Sequence, residues 1–341
     1  MGEHFIHDVE FKNFKCFQEL KVEGTKRVNL IGGKNNIGKT SFMEGLELLV
    51  RPKSAFGLRI ATTNILRRRQ AKKNVTNNQP QVFQEFELYF FSSLESDIVL
   101  SSGAFNTTLK YIPVGMEIKT ANIQIFNPPN MLQHLGKGSK KQAPVPFLEF
   151  SFSSDSIASS VQDVLNTLVQ VQDDNHIRKN VNFISSCTTD EISLATYYGS
   201  LLNLNQEEYL NDSLKLFDEN IVSIKAIPVP NGTILKLKLN DRDNLILLSS
   251  LGEGINRYIA ILCAIWASKD GYLFIDEIEN GIHWTNYEKL WKIIFEASAM
   301  ANCQVFATTH SKECIEAFNR MNEKDDGVYL EFYRNQKTGL V

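Results

Sequence analysis

The sequence contains little cysteine: its 341 residues include five cysteines, an odd number without the paired spacing of a metal site. This excludes a disulfide framework and predicts free thiols in a reducing, cytoplasmic protein. The five are Cys16, Cys187, Cys263, Cys303 and Cys314.

The chain also lacks a large net charge, since 36 Lys and Arg oppose 39 Asp and Glu. A basic nucleic-acid binder is therefore excluded at the level of the whole chain, and any such role requires a local patch. No apolar run reaches the roughly 18 residues of a membrane helix, and the N-terminus does not resemble a signal peptide. An apolar content of 43% excludes a disordered chain.

Alternating turn, helix and strand patterns from residue 249 onward indicate parallel βα units and an α/β fold. Near the N-terminus, strands are predicted at Phe5–Phe11 and Arg27–Ile31, linked through residues 13–17, and a helix follows them. Further strands are predicted at 82–91, 107–119, 121–126 and 147–152, and mostly helices at 155–219.

A phosphate-binding motif follows the predicted strand Arg27–Ile31, because residues 33–40 read GKNNIGKT and fit G-x-x-x-x-G-K-[ST]. Its glycines let backbone N–H groups converge on phosphate oxygens, and the helix N-terminus favours the same anion. The predicted nucleotide contacts are Gly33, Asn35, Asn36, Gly38, Lys39, Thr40 and Ser41, with the Thr40 hydroxyl as a ligand of Mg²⁺.

Two carboxylates end a later apolar strand, YLFI, at Asp276 and Glu277. In a P-loop enzyme the first would hold Mg²⁺, and the second would polarise the attacking water. His310 ends the next apolar strand, where it can hydrogen-bond a γ-phosphate; a structural or exposed histidine is the alternative.

With these motifs the chain resembles the ABC-type ATPase heads of the SMC/RecF/OLD group, and most closely the compact OLD-like AAA ATPases of bacterial anti-phage defence. Lys39, the pair Asp276-Glu277 (Walker B) and the switch histidine His310 carry the resemblance. So does the run LSSLGEG at 248–254 in the signature position, although Leu251 stands where a second glycine is usual. Residues 12–17, 183–186 and 279–283 match the opening turn, the run before a helical lid, and the D-loop.

The resemblance implies an ABC ATPase head with a mixed β-sheet core and an inserted helical lobe. The expected segments are an N-terminal lobe at 1–127, a loop and mostly helical insertion at 128–220, and a C-terminal lobe at 221–341. It also implies a head-to-head homodimer, possibly part of a higher oligomer, that binds ATP and Mg²⁺. Ser250 or Ser249, with the Gly252 amide, would then contact the partner's γ-phosphate; ordinary capping of a helix beginning at Ile255 is the alternative. Gln84, or else Gln81, would be the metal-contacting Q-loop glutamine, and either could be a plain exposed strand residue.

Two functions remain open at this point. The first is a nucleotide-gated sensor and scaffold of an anti-phage system, triggered by a phage protein or DNA. Because no nuclease motif is present, its effector is expected to be a separate, nuclease-like protein encoded nearby. The second is a RecF/SMC-like DNA-binding ATPase of repair or recombination, while a transporter head is disfavoured by the lack of a membrane segment.

The DNA-binding alternative depends on a basic stretch at residues 51–73, which contains no acidic residue, and on lysines 137, 140 and 141. Its end, Arg67, Arg68, Arg69, Lys72 and Lys73, is expected to lack a neutralising acid nearby. No aromatic residue lies within 57–82 to stack on bases, so we expect this stretch to bind a protein effector or trigger rather than DNA. Reversing Arg67, Arg68 and Arg69 to Glu would then abolish that binding and leave basal hydrolysis intact.

Overall fold

The computed structural model describes residues 5–73, 90–103, 105–113, 124–125, 146–161, 164, 175–186, 191–230 and 232–334. The chain divides into two compact units. The first unit comprises Met1–Ile6, Gly24–Thr40 and Asn180–Tyr333, and the second comprises His7–Glu23, Ser41–Lys179 and Arg334–Val341. The predicted division at 127 and 220 stays a prediction.

The first unit contains a five-stranded parallel sheet in the order β15-β3-β14-β13-β9. Its strands are β3 (Val28–Gly32), β9 (Val181–Ile184), β13 (Tyr272–Ile275), β14 (Gln304–Thr308) and β15 (Gly327–Glu331). All residues of β3, β13 and β14 are buried, as expected for parallel strands covered on both faces. The polar Asn29 and Gln304 are accommodated because their side-chain amides bond backbone carbonyls.

Among the described residues, the α-helices of the first unit are α3 (Glu191–Asn203), α4 (Glu207–Phe217), α5 (Glu253–Ala267), α6 (Tyr287–Met300) and α7 (Lys312–Met321). A three-stranded antiparallel sheet accompanies them, formed by β10 (Ile221–Val229), β11 (Gly232–Leu239) and β12 (Ile246–Leu247). Helix α5 is rich in apolar residues, and its buried residues lie between Ile255 and Trp266. It forms part of the hydrophobic core of this unit together with β13 and α6.

The second unit contains a seven-stranded sheet in the order β2-β1-β4-β5-β7-β8-β6. Its strands are β1 (Asp8–Phe14), β2 (Phe17–Glu23), β4 (Ile98–Ser102), β5 (Phe105–Ile112), β6 (Gln124–Ile125), β7 (Phe147–Phe152) and β8 (Asp155–Ser160). Helix α1 (Lys39–Val50) enters this unit at Ser41, and α2 (Ala55–Lys73) follows it. The ring of Phe11 contacts those of Phe14, Phe17 and Phe42, so α1 packs on the β1-β2 hairpin.

The predicted α/β class and the C-terminal βα units are confirmed. The prediction of mostly helix at 155–219 is wrong at two places, because residues 155–160 and 181–184 form β8 and β9. Ile157 pairs with Phe150 across a hairpin whose turn places Ser153 at a φ of 54°. The helical spacing of Ile157, Val161 and Val164 led to the wrong prediction. The segment 13–17, predicted as a link, contains the end of β1, a two-residue turn at 15–16 and the start of β2, with Asn13 and Lys15 at positive φ. The strand β2 was missed.

The predicted strand 82–91 falls largely outside the described residues, as do Cys187 and lysines 137, 140 and 141. The four described cysteines are free, as expected. Among the described residues, no helix combines the length and the apolar character that crossing a membrane requires.

Candidate nucleotide-binding site

The phosphate-binding loop connects the end of β3 to the start of α1. Gly33 and Gly38 have φ values of 127° and 98°, and Asn36 between them has a φ of 58°. These left-handed positions curl the backbone into an anion-binding concavity at a helix N-terminus without acidic residues in its first turn. Lys34, Asn35 and Asn36 are exposed, so the loop is open to a ligand. Ser41 lies in the first turn of α1.

Lys39 lies across this loop, and its ammonium group donates to the carbonyl oxygens of Gly33 and Lys34 at 2.8 Å each. The same Nζ lies 3.2 Å from Nδ1 of His310. Burial lowers the pKa of Lys39, although the charges of nearby carboxylates act in the opposite direction. Because an ammonium group has donors alone, Nδ1 of His310 is the acceptor, and its ring proton belongs on Nε2.

The two carboxylates at the end of β13 have different surroundings. Asp276 is 3% exposed, and its Oδ1 accepts from Thr40 Oγ1 at 3.0 Å and from Thr308 Oγ1 at 3.1 Å. A threonine hydroxyl and a carboxylate that converge in this way are oxygen ligands suited to Mg²⁺, which completes its shell with phosphate and water oxygens. The residues present therefore fit Mg²⁺.

Glu277 is about one-third exposed and has a φ of 52°, which is uncommon outside glycine. Its amide donates to Thr308 Oγ1 at 2.8 Å, and its Oε2 accepts from Asn280 Nδ2 at 2.7 Å. Its Oε1 lies 3.8 Å from Nε2 of His310. The structure thus brings Lys39, His310 and Glu277 together: Lys39 is within hydrogen-bond distance of His310, and Glu277 lies just beyond that distance on the other side of the ring.

The signature region forms a 3₁₀ turn at Leu248–Ser250 directly before α5. The hydroxyl of Ser250 is exposed and bonds the Leu247 carbonyl at 2.7 Å, while the side chain of Ser249 lies outside the described part. The capping alternative is wrong for Ser250, because the N-cap of α5 is Gly252 and no side chain caps the helix. A Cβ added at Gly252 would meet no atom within 4 Å, so its surroundings are open.

Two residues of this site, Arg257 and Thr308, were missed by the sequence analysis, while Glu279 and Asn280 were named there only as part of the D-loop. Arg257 is 6% exposed, and its guanidinium donates to the carbonyl oxygens of Ser185, Asp276 and Glu277, the last two at 2.6 and 3.2 Å. Glu279 accepts from the His310 amide at 2.6 Å. The available signal was the single arginine within the apolar run of α5, which indicates a buried charge with specific partners.

The basic stretch does not have the environment that we expected. Glu47 accepts from Arg51 at 2.9 Å and from Arg68 at 2.5 Å, and Glu44 accepts from Arg69 at 2.7 Å. Both glutamates are buried, so the predicted absence of neutralising acids is wrong for Arg68 and Arg69. They were overlooked because they precede the stretch, on α1. The side chains of Lys72 and Lys73 lie outside the described residues, as do Gln81 and Gln84.

A phosphate-binding loop, an acidic strand end and a histidine on the neighbouring strand define a P-loop protein of the nucleoside-triphosphate-binding class. A family model described as "AAA domain, putative AbiEii toxin, Type IV TA system" matches residues 28–316, and the chain belongs to this family. Family membership supports nucleotide binding and hydrolysis.

Two curated relatives are similar in sequence. An "ATP/GTP phosphatase" of Helicobacter pylori is 28% identical over 352 residues, which cover 94% of this chain and 89% of the relative. The protein MJECL10 of Methanocaldococcus jannaschii is 42% identical over 53 residues, 16% of this chain and 24% of that protein.

Among solved structures, an SMC head bound to the C-terminal winged-helix domain of ScpA is 10% identical with a TM-score of 0.46, and 92% of each chain is covered. The SMC head of Thermotoga maritima is 11% identical with a TM-score of 0.41, covering 92% of this chain and 91% of that one.

Proposed function

We propose that this chain hydrolyses ATP to ADP and phosphate, with Glu277 as the general base and His310 as a γ-phosphate contact. The observation that carries the proposal is the proximity of Lys39, His310 and Glu277. Beside them lies the oxygen pair of Thr40 and Asp276. The exposed backbone of the loop would bind the phosphates, and Lys39 would lie beside the β- and γ-phosphates.

In this mechanism a water attacks the γ-phosphorus, the bond to the bridging oxygen breaks, and Glu277 accepts the proton of the water. Nε2 of His310 carries its proton and would donate it as a hydrogen bond to a γ-phosphate oxygen. Asn280 and the amide contact with Thr308 hold the Glu277 carboxylate at the strand end. Mg²⁺ held by Thr40 and Asp276 would neutralise charge that develops on the phosphates.

Glu277→Gln tests this assignment. We expect it to retain ATP binding while kcat falls by at least about 100-fold, because the amide cannot accept the proton. Lys39→Ala should instead weaken ATP binding itself. Glu288→Gln, an exposed glutamate of α6 paired with Arg320, is the matched control and should change neither quantity. Hydrolysis by Glu277→Gln at the wild-type rate would contradict the role of Glu277.

We further propose that nucleotide hydrolysis gates a sensor and scaffold of an anti-phage system, which controls a separate effector as a homodimer. The family description, which names a toxin of a TA system, supports a defence role. The DNA-binding alternative has lost part of its support, because Arg68 and Arg69 are occupied by buried glutamates.

A phage challenge of cells that carry the gene with its neighbouring genes tests this second proposal. We expect the wild-type chain to protect and both Lys39→Ala and Glu277→Gln to lose protection, at unchanged protein levels. Glu288→Gln should protect as the wild type does. Protection that survives deletion of every neighbouring gene would contradict an effector acting in trans, and salt-sensitive binding of duplex DNA by the purified protein would favour the alternative.

A further inference from the structure

The last strand of the parallel sheet ends beside the phosphate-binding loop. β15 pairs in parallel with β3, with Glu331 opposite Gly32, and the amide of Phe332 donates to the Gly32 carbonyl at 3.0 Å. The carbonyl of Phe332 faces Gly33 so closely that a side chain at position 33 would collide with it. Tyr333 therefore leaves the sheet at the edge where the loop begins.

Tyr333 is unusual in its exposure. Its relative accessibility is 73%, whereas the adjacent Phe332 is at 7%. A tyrosine ring offers a large apolar face whose burial is favourable, so an exposed ring at the rim of a binding loop is available to a flat ligand.

The direction of a bound nucleotide follows from the two neighbours of β3. On one side lies β14. His310 follows the end of β14 and lies beside Lys39 and Glu277, so the γ-phosphate is expected on this side of the loop. On the other side lies β15. A triphosphate whose γ end faces His310 directs its ribose and base away from β14, toward the end of β15.

We infer that Tyr333 forms the base-binding face of the site and stacks on the purine of the bound nucleotide. The inference rests on the proposed hydrolysis of ATP at the same loop, and it adds the recognition of the base. Stacking uses the face of the ring system and not its hydrogen-bonding edge, so it tolerates different bases. ATP and GTP should therefore bind with similar affinity at this face.

The test compares two probes that share the phosphate contacts but differ in the base: ATP and inorganic tripolyphosphate. Calorimetric titration of Tyr333→Ala should show a Kd for ATP raised about 5- to 100-fold, the usual effect of losing one base–aromatic stack. The Kd for tripolyphosphate should stay at the wild-type value. Tyr333→Phe, which keeps the ring, should retain ATP affinity, and Met300→Ala, an exposed apolar residue of α6, is the control.

An unchanged ATP affinity of Tyr333→Ala would overturn the inference, and so would an equal loss for ATP and tripolyphosphate, which would indicate a distorted loop. Lys39→Ala distinguishes failure of this inference from failure of the proposed function, because it should raise the Kd for both ATP and tripolyphosphate. If the wild-type chain bound neither probe, both the inference and the proposed function would be wrong.

Discussion

At the scale of single residues, Arg257 connects helix α5 with the acidic end of β13. Its guanidinium satisfies the carbonyl oxygens of Asp276 and Glu277, the two residues whose side chains are assigned to metal and water. Because these carbonyls are bonded from α5, the backbone that carries both carboxylates is held by a helix that begins next to the signature. We regard Arg257 as a positioning residue.

Arg257→Met should therefore impair turnover more than binding. Truncation leaves buried carbonyls without their donor, at a cost of about 1–3 kcal/mol for each group, and lets the strand end move. We expect kcat to fall by about 10-fold or more for a displacement of this kind, while the Kd for ATP changes little. Arg257→Lys should recover part of kcat, and Arg320→Met is the surface control. Equal losses in kcat and ATP affinity would contradict a positioning role.

At the scale of elements, helix α1 carries two buried carboxylates, Glu44 and Glu47, that form ion pairs with arginines of the basic stretch. Glu44 is shared by Lys15, from the β1-β2 turn, and Arg69, from α2. Burial alone would raise the pKa of Glu44, but the charges of Lys15 and Arg69 outweigh burial and hold it at about 2. Burial also lowers the pKa of Lys15 to about 8, although Glu44 partly opposes the shift.

Glu44→Gln should destabilise the protein by about 3–5 kcal/mol, because it leaves the buried Lys15 and the partly exposed Arg69 without their shared carboxylate. Since the folded pKa of Glu44 lies below the unfolded value of about 4.3, its contribution is complete above that value and is lost as the pH falls toward 2. The free energy of unfolding in urea should thus fall less between pH 5 and 3 for Glu44→Gln than for the wild type.

Glu10→Gln, at an exposed pair with Lys12, is the control and should cost at most about 1 kcal/mol. An effect of Glu44→Gln as small as this would contradict the buried network.

The same network changes our expectation for the triple reversal of Arg67, Arg68 and Arg69. Glutamates at 68 and 69 would face Glu47 and Glu44, so unfolding would precede any selective loss of binding.

The sequence predicted those elements whose signal is local. The loop at 33–40, the strand before Asp276 and the strand before His310 each combine a contiguous apolar run with a polar end, and their proximity follows from parallel strands. Glu44 and Arg69 are 25 positions apart, and Arg257 is 72 positions from Ser185. Such pairs depend on how helices and strands pack against one another, and the spacing of apolar residues in the sequence does not predict that packing. β8 was missed because Ile157 stands at helical spacing from Val161 and Val164, which lie beyond the end of this strand.

At the scale of the whole molecule, the order of the parallel sheet does not follow the order of the chain. β3 begins at residue 28 and lies between β14 and β15, which begin at residues 304 and 327 and so follow it by 276 and 299 positions. Pairings of such sequence separation fold slowly, because the closing of a long loop must precede the contacts that stabilise it.

This placement of β3 has a consequence during synthesis. A nascent chain leaves the ribosome with β3, a largely apolar strand, early and unpaired. One edge of β3 can pair only after residue 308 has emerged, and the other edge only after residue 331. Throughout translation this strand is therefore exposed to aggregation and is a natural target for chaperones. A chain terminated before residue 310 would lack the histidine beside the loop, and a chain terminated between residues 310 and 333 would have this histidine without the tyrosine.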